Sequence, residues 1–139
     1  MSTSVPPDSS PPEFFIDRSL AREDVAEALR SADCLVRTHL EVYGERDEEV
    51  PDEEWLELAG RKGWVVLTMD KRIRWRRGEL AAIRRCDVKA FALTRGNFTA
   101  GEQAERFIVN LARIEEACAE PGPFVYVVHA EAIVRIYPA

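Results

Sequence analysis

The sequence predicts a three-layer α/β/α domain with a mainly parallel central sheet. Three observations lead there. Short β-rich runs alternate with segments of helical periodicity along most of the chain, an order that sets strands side by side and lays helices over both faces. "WVVLT" at 64–68 is apolar at nearly every position rather than at alternate ones, as in a strand buried on both faces. A chain of 139 residues with 46% hydrophobic and 32% charged side chains can bury one core and is too short for two ordinary domains.

The elements follow in chain order. Residues 1–12, "MSTSVPPDSSPP", hold four serines and four prolines without an apolar pattern. Burial cannot offset the entropy of ordering them, so a disordered tail is expected, with the domain occupying 13–139. "FFI" at 14–16 is a short buried strand that ends at Asp17. Val25, Ala28, Leu29 and Ala32 then recur on one helical face. "CLVRTHL" at 34–40 is a candidate second strand. Pro51 and Asp52 open a helix through "EEWLELAGRK", and Gly63 suits its left-handed C-terminal stop. "WVVLT" and "VKAFAL" (88–93) are further strands. Thr99 and Glu102 form a capping-box pair ahead of Ala104, Phe107, Ile108, Leu111 and Ile114, a single amphipathic helix by spacing. "FVYVV" (124–128) and "AIVRI" (132–136) are separated by a very short turn and should close one sheet edge as a hairpin.

Several function classes fall away on composition. No window approaches the roughly 18 uninterrupted apolar residues of a membrane span, and the N-terminus lacks the basic-then-apolar order of a secretory signal. A soluble, cytoplasmic protein without membrane association is expected. Cys34, Cys86 and Cys118 are widely spaced, form no CxxC pair and lie near no histidine, so they read as small buried apolar residues rather than zinc ligands. His39 and His129 belong to no motif and receive no role.

The formal net charge of -6 hides an uneven distribution. Between Glu41 and Glu54, eight acids face the single base Arg46; between Arg61 and Arg77, seven bases face the single acid Asp70. One account is two solvated faces of opposite sign. The other begins from Asp17, Asp52 and Asp70. In an open parallel sheet, functional groups gather outside the carboxyl ends of the strands. Asp17 follows the first strand, Asp70 stands two residues beyond "WVVL", and Asp52 begins the helix that leads back into the Asp70 strand. Three carboxylates would then converge, which is tolerable mainly with a cation between them. Oxygen-only ligands favour Mg²⁺ or Mn²⁺ over zinc. Each aspartate also has an ordinary reading: Asp52 as a helix N-cap, and Asp17 and Asp70 as turn residues closing strands.

"FFIDRSL", "PDEEWLELAGRKGWVVLTMDKRIR" and the interval from Asp52 to Asp70 resemble the PIN-like domain family, in particular its compact branch of VapC-type toxins. The likeness extends over roughly 13–137. It implies a metal-dependent ribonuclease fold in which Asp17, Asp52 and Asp70 match three acidic site positions and act as catalytic metal ligands for Mg²⁺ or Mn²⁺. A fuller site of this kind has a further carboxylate, for which Glu41, Glu53 and Glu79 are the candidates. The resemblance also implies an RNA substrate, a protein antitoxin and a possible homodimer.

On that reading the basic run has a purpose. Clustered acids repel a polyanion, so a basic rim beside them is needed; Lys71, Arg72, Arg74 and Arg76, with Arg77, would bind the phosphates flanking the scissile one. Trp75 would stack on an unpaired base or pack against the core. Two other readings stand beside this one: a PIN-like module that binds a partner without turnover, and a phosphoacceptor receiver domain. The second fits poorly, because Asp17 is followed by Arg18 rather than an acid and no lysine follows Lys89.

Overall fold

The computed structural model describes residues 11–69, 77–93 and 97–138. Six strands form one sheet: β1 (Glu13–Ile16), β2 (Leu35–Thr38), β3 (Val65–Thr68), β4 (Lys89–Leu93), β5 (Phe124–Val128) and β6 (Ile133–Tyr137). Their spatial order is β2-β1-β3-β4-β5-β6. All neighbours are parallel except β5 and β6, which pair antiparallel through the short turn after Val128. The predicted mainly parallel sheet and its edge hairpin are both present.

Side chains that alternate along the strands divide the core. Phe14, Ile16, Val65, Leu67, Phe91, Leu93, Phe124 and Val128 project to the face covered by α1 (Arg22–Ser31), α5 (Ala100–Val109) and α6 (Leu111–Ala117). Phe15, Val66, Ala90 and Val125 project to the face covered by α3 (Asp52–Lys62) and α4 (Arg77–Cys86). β3 is buried at all four positions, as its unbroken apolar run requires. Helices on both faces of one sheet make three layers.

The structure differs from the sequence reading in four respects. The run at 34–40 is a strand only to Thr38. There the Thr38 hydroxyl accepts from the Glu41 N–H while the Glu41 carboxylate accepts from the Thr38 N–H. This capping box starts α2 (His39–Tyr43), a short helix continued by a 3-10 turn at Gly44–Arg46. The helix expected through Ile114 is two helices divided at Asn110, whose amide donates to the carbonyls of Arg106 and His129 at 2.9 and 2.8 Å. α4 was not foreseen. The three cysteines are half-buried and unpaired rather than core residues, and burial pushes the Cys118 thiol up to about 12. Two predicted helix signals hold: Gly63 ends α3 at φ 73°, and Thr99 and Glu102 form the predicted reciprocal cap of α5.

The topology fixes where a crevice opens. From β1 the chain moves outward to β2, then returns through α3 to β3 on the other side of β1. The strand order therefore reverses at the carboxyl end of β1, the place where open α/β sheets bind ligands. No helix among the described residues is long and apolar enough to cross a membrane.

Candidate metal centre

Asp17 occupies that reversal point. It follows Ile16 directly, its N–H donates to the Leu67 carbonyl at 3.1 Å, and only 5% of the residue is exposed. The Ser19 N–H donates to Asp17 Oδ1 at 2.8 Å and the Ser19 hydroxyl donates to the same oxygen. The Ser19 hydroxyl also lies 3.1 Å from Thr68 Oγ1 and accepts from the Met69 N–H at 2.9 Å. The turn after β1 is thereby tied to the end of β3, next to the segment that carries Asp70.

Burial pushes the Asp17 carboxyl above its ordinary range; hydrogen bonds from Ser19 and Thr68 oppose that shift, and the charge of Asp52 adds to it. The last effect places Asp52 within electrostatic reach of Asp17. Among the described residues no base pairs with Asp17: its partners are hydroxyls and an amide. A buried acid beside a second acid, surrounded by neutral oxygen donors, suits a hard divalent cation.

Asp52 is the first residue of α3. The N-cap position belongs to Pro51, and no side chain caps the helix. The N-cap reading of Asp52 is thus incorrect. Its Oδ1 instead accepts from Trp55 Nε1 at 2.9 Å. Trp55 is buried and stacks on Phe15, with ring centroids 5.5 Å apart. An indole fixed in the core therefore orients this carboxylate. Because α3 runs from Asp52 to Lys62 before β3 begins at Val65, its N-terminus lies at the carboxyl edge of the sheet, as the sequence predicted.

Asp70, Lys71, Arg72, Arg74, Trp75 and Arg76 lie outside the described residues. Among the described residues no group of three or more acids, histidines or cysteines is clustered as a metal site; of the three predicted aspartates, Asp17 and Asp52 fall among them.

The three candidates for a further carboxylate differ in their surroundings. Glu41 accepts from Thr38 in the α2 capping box and pairs with Arg30 at 3.0 Å. The Thr38 N–H and Arg30 together hold its carboxyl below the ordinary range, against a smaller effect of burial. Glu53 lies against the first turn of α4: a Cβ added at Gly78 would stand 1.7 Å from Glu53 Oε2. A helix N-terminus attracts a carboxylate. Glu79 is buried in that same first turn.

The acidic segment lies mostly at the surface, with one acid turned inward. Asp47 is buried, and its Oδ1 lies 2.7 Å from both Arg22 Nη1 and His39 Nδ1. Glu54 pairs with Arg46 at 3.1 Å, and Glu41 with Arg30. Glu45, Glu48 and Glu49 remain at the surface. Arg18 donates to the carbonyls of Asp47 and Val50, the latter at 3.2 Å. None of Arg18, Ser19, Trp55, His39 or Asp47 was singled out from sequence. Only Ser19 left a local signal, since an aspartate followed two residues later by a hydroxyl residue is a common turn pattern.

A family profile described as PIN like domain matches residues 12–95. A protein of Mycobacterium tuberculosis (strain ATCC 25618 / H37Rv) named "Putative ribonuclease VapC45" is 35% identical over 124 residues, covering 88% of this chain and 90% of that protein. No solved structure matches the chain. The profile spans β1 to β4 with both aspartates, and the relative spans nearly the whole chain, so the chain belongs to the PIN-like domain family.

Proposed function

We propose that this protein is a ribonuclease dependent on Mg²⁺ or Mn²⁺ that hydrolyses RNA phosphodiester bonds, and that it is the toxin of a toxin–antitoxin pair. The observation that carries the reading is the buried Asp17 carboxylate, without a basic partner among the described residues and within electrostatic reach of Asp52. The name of the mycobacterial relative supports the substrate class.

Asp17 and Asp52, joined by Asp70 from the segment after β3, would hold the cation. Once bound it supplies Lewis acidity toward the scissile phosphate and its attacking water. The chain's own groups do the rest. Ser19 and Thr68 keep the Asp17 carboxylate facing one way, Trp55 fixes Asp52, and the buried strand ends at Ile16, Leu67 and Thr68 exclude solvent from beneath. Lys71, Arg72, Arg74 and Arg76 would receive the flanking phosphates, with Trp75 available to an unpaired base. No serine nucleophile or catalytic histidine is required. A protein antitoxin, a homodimer and a cytoplasmic location complete the proposal.

Incubating purified protein with single-stranded RNA in Mg²⁺ or Mn²⁺, and in parallel with a chelator, tests it. Cleavage should occur with metal, stop with chelator, and disappear in Asp17→Asn. RNA binding without cleavage in either metal would instead make the domain a module without turnover.

A further inference from the structure

Arg18 lies next to Asp17 in sequence, yet its side-chain bonds lie elsewhere. It reaches across to the loop between α2 and α3 and donates through both terminal nitrogens to backbone carbonyls, Nη1 to Asp47 and Nη2 to Val50. Val50 stands two residues before Asp52. The Arg18 side chain is exposed and adds little to the core. The loop is anchored independently by the fully buried Val50 side chain and by Asp47, which Arg22 and His39 grip. Removing the guanidinium should therefore leave the fold standing. It should loosen only the spacing between the turn that carries Asp17 and the loop that delivers Asp52.

We infer that Arg18 is a positioning residue for the metal centre: it fixes the separation of the Asp17 and Asp52 carboxylates by tying the residue after one to the loop before the other. The inference rests on the metal-site reading above. Two carboxylates that repel each other drift apart unless the backbone restrains them, and a cation binds most tightly where that restraint is already in place. Arginine suits the task because its planar fork addresses two acceptors at once. Lysine, a single ammonium on a flexible stem, offers no such fork.

The test is calorimetric titration of Mn²⁺ into the full chain as wild type, Arg18→Gln, Arg18→Lys and Asp17→Asn, with metal-free melting of each. Arg18→Gln should weaken Mn²⁺ binding about tenfold, the lower end of what outer-sphere partners of metal ligands contribute. Its metal-free melting temperature should stay within about 2 °C of wild type. Arg18→Lys should fall between the two in affinity. Arg18→Gln binding Mn²⁺ as tightly as wild type, while Asp17→Asn does not bind, would overturn the positioning role and leave the metal site intact. A metal-free melting temperature that drops in Arg18→Gln and in Arg18→Lys alike, with no recovery of affinity by lysine, would overturn it in favour of a purely structural bond. Wild type that binds no Mn²⁺, or binds it equally well in Asp17→Asn, would overturn the metal-site reading itself and the positioning role with it.

Discussion

Trp55 Nε1 donates to Asp52 Oδ1 at 2.9 Å, so a core indole rather than the helix backbone holds the Asp52 carboxylate. This separates charge from structure at that position. Asn retains an acceptor oxygen for the indole and loses only the charge. Asp52→Asn should keep or slightly raise metal-free stability, because repulsion with Asp17 is relieved, and should lose most of the Mg²⁺-induced rise in Tm. Asp52→Ala strands the indole N–H and should cost about 1 kcal/mol with or without metal. Thermal melts of the three proteins in both conditions check this; an Asn variant that keeps the full Mg²⁺ shift would remove Asp52 from the site.

Asp17 makes the metal-free protein sensitive to pH. Its folded-state carboxyl lies above the ordinary value near 3.8, chiefly through burial. The folded state therefore holds this proton more tightly than the unfolded chain. The corresponding stability is fully present below pH about 3.8 and is lost as pH rises through the raised folded value. Asp17→Asn should consequently melt higher than wild type at neutral pH without metal, with the difference shrinking toward acid pH. Added Mg²⁺ should reverse the order at neutral pH, since the cation stabilises only the protein that retains the carboxylate. Melting curves from pH 4 to 8, with and without Mg²⁺, read out both signs.

Asp47 shows the opposite dependence. Burial alone would raise its carboxyl, but Arg22 and His39 outweigh burial and hold it below the ordinary range. Its contribution is present above the unfolded carboxylate value and fades as pH falls through the lowered folded one. Asp47→Ala should destabilise the fold by about 1.5–3 kcal/mol, because it leaves the buried His39 ring and the half-buried Arg22 guanidinium without their shared partner. Urea denaturation at pH 7 measures this, and a change below about 0.5 kcal/mol would mean the cluster does not hold the loop.

The basic run makes a prediction about ionic strength. Changing Arg72, Arg74 and Arg76 together to Gln should weaken RNA binding and flatten its salt dependence. The slope should fall by about 0.7 for each phosphate of the single strand that an arginine no longer neutralises. An unchanged slope would mean that these arginines do not face RNA.

Much of the fold was legible because its signals are local. The capping pair Thr99 and Glu102, the helix stop at Gly63 and the unbroken "VVLT" of β3 each depend on neighbours within one turn or one strand. α4 was missed because only Ala82, Ile83 and a few partly covered residues form its apolar stripe, directly behind a dense basic run. The division between α5 and α6 was missed because Asn110 breaks the helix through a bond to His129, a residue distant in sequence. The same reason hid the bonds of Arg18, Asp47 and His39: most of the acidic segment is at the surface, as its charge suggests, but Asp47 turns inward to Arg22 and His39, while Glu41 and Glu54 pair with Arg30 and Arg46 in the open. Asp17 and Asp52 were legible as site candidates because strand ends and helix starts on a parallel sheet share one edge.

The most direct test of metal-dependent hydrolysis at this edge is the cleavage rate of single-stranded RNA in Mg²⁺ by wild type and by Asp70→Asn, a nearly isosteric change that removes one charge from the proposed cluster. Asp70→Asn should retain the wild-type circular dichroism spectrum and metal-free melting curve and lose cleavage by at least about a hundredfold, on the order of 3 kcal/mol of transition-state stabilisation. Cleavage by Asp70→Asn at the wild-type rate would contradict metal-dependent hydrolysis there.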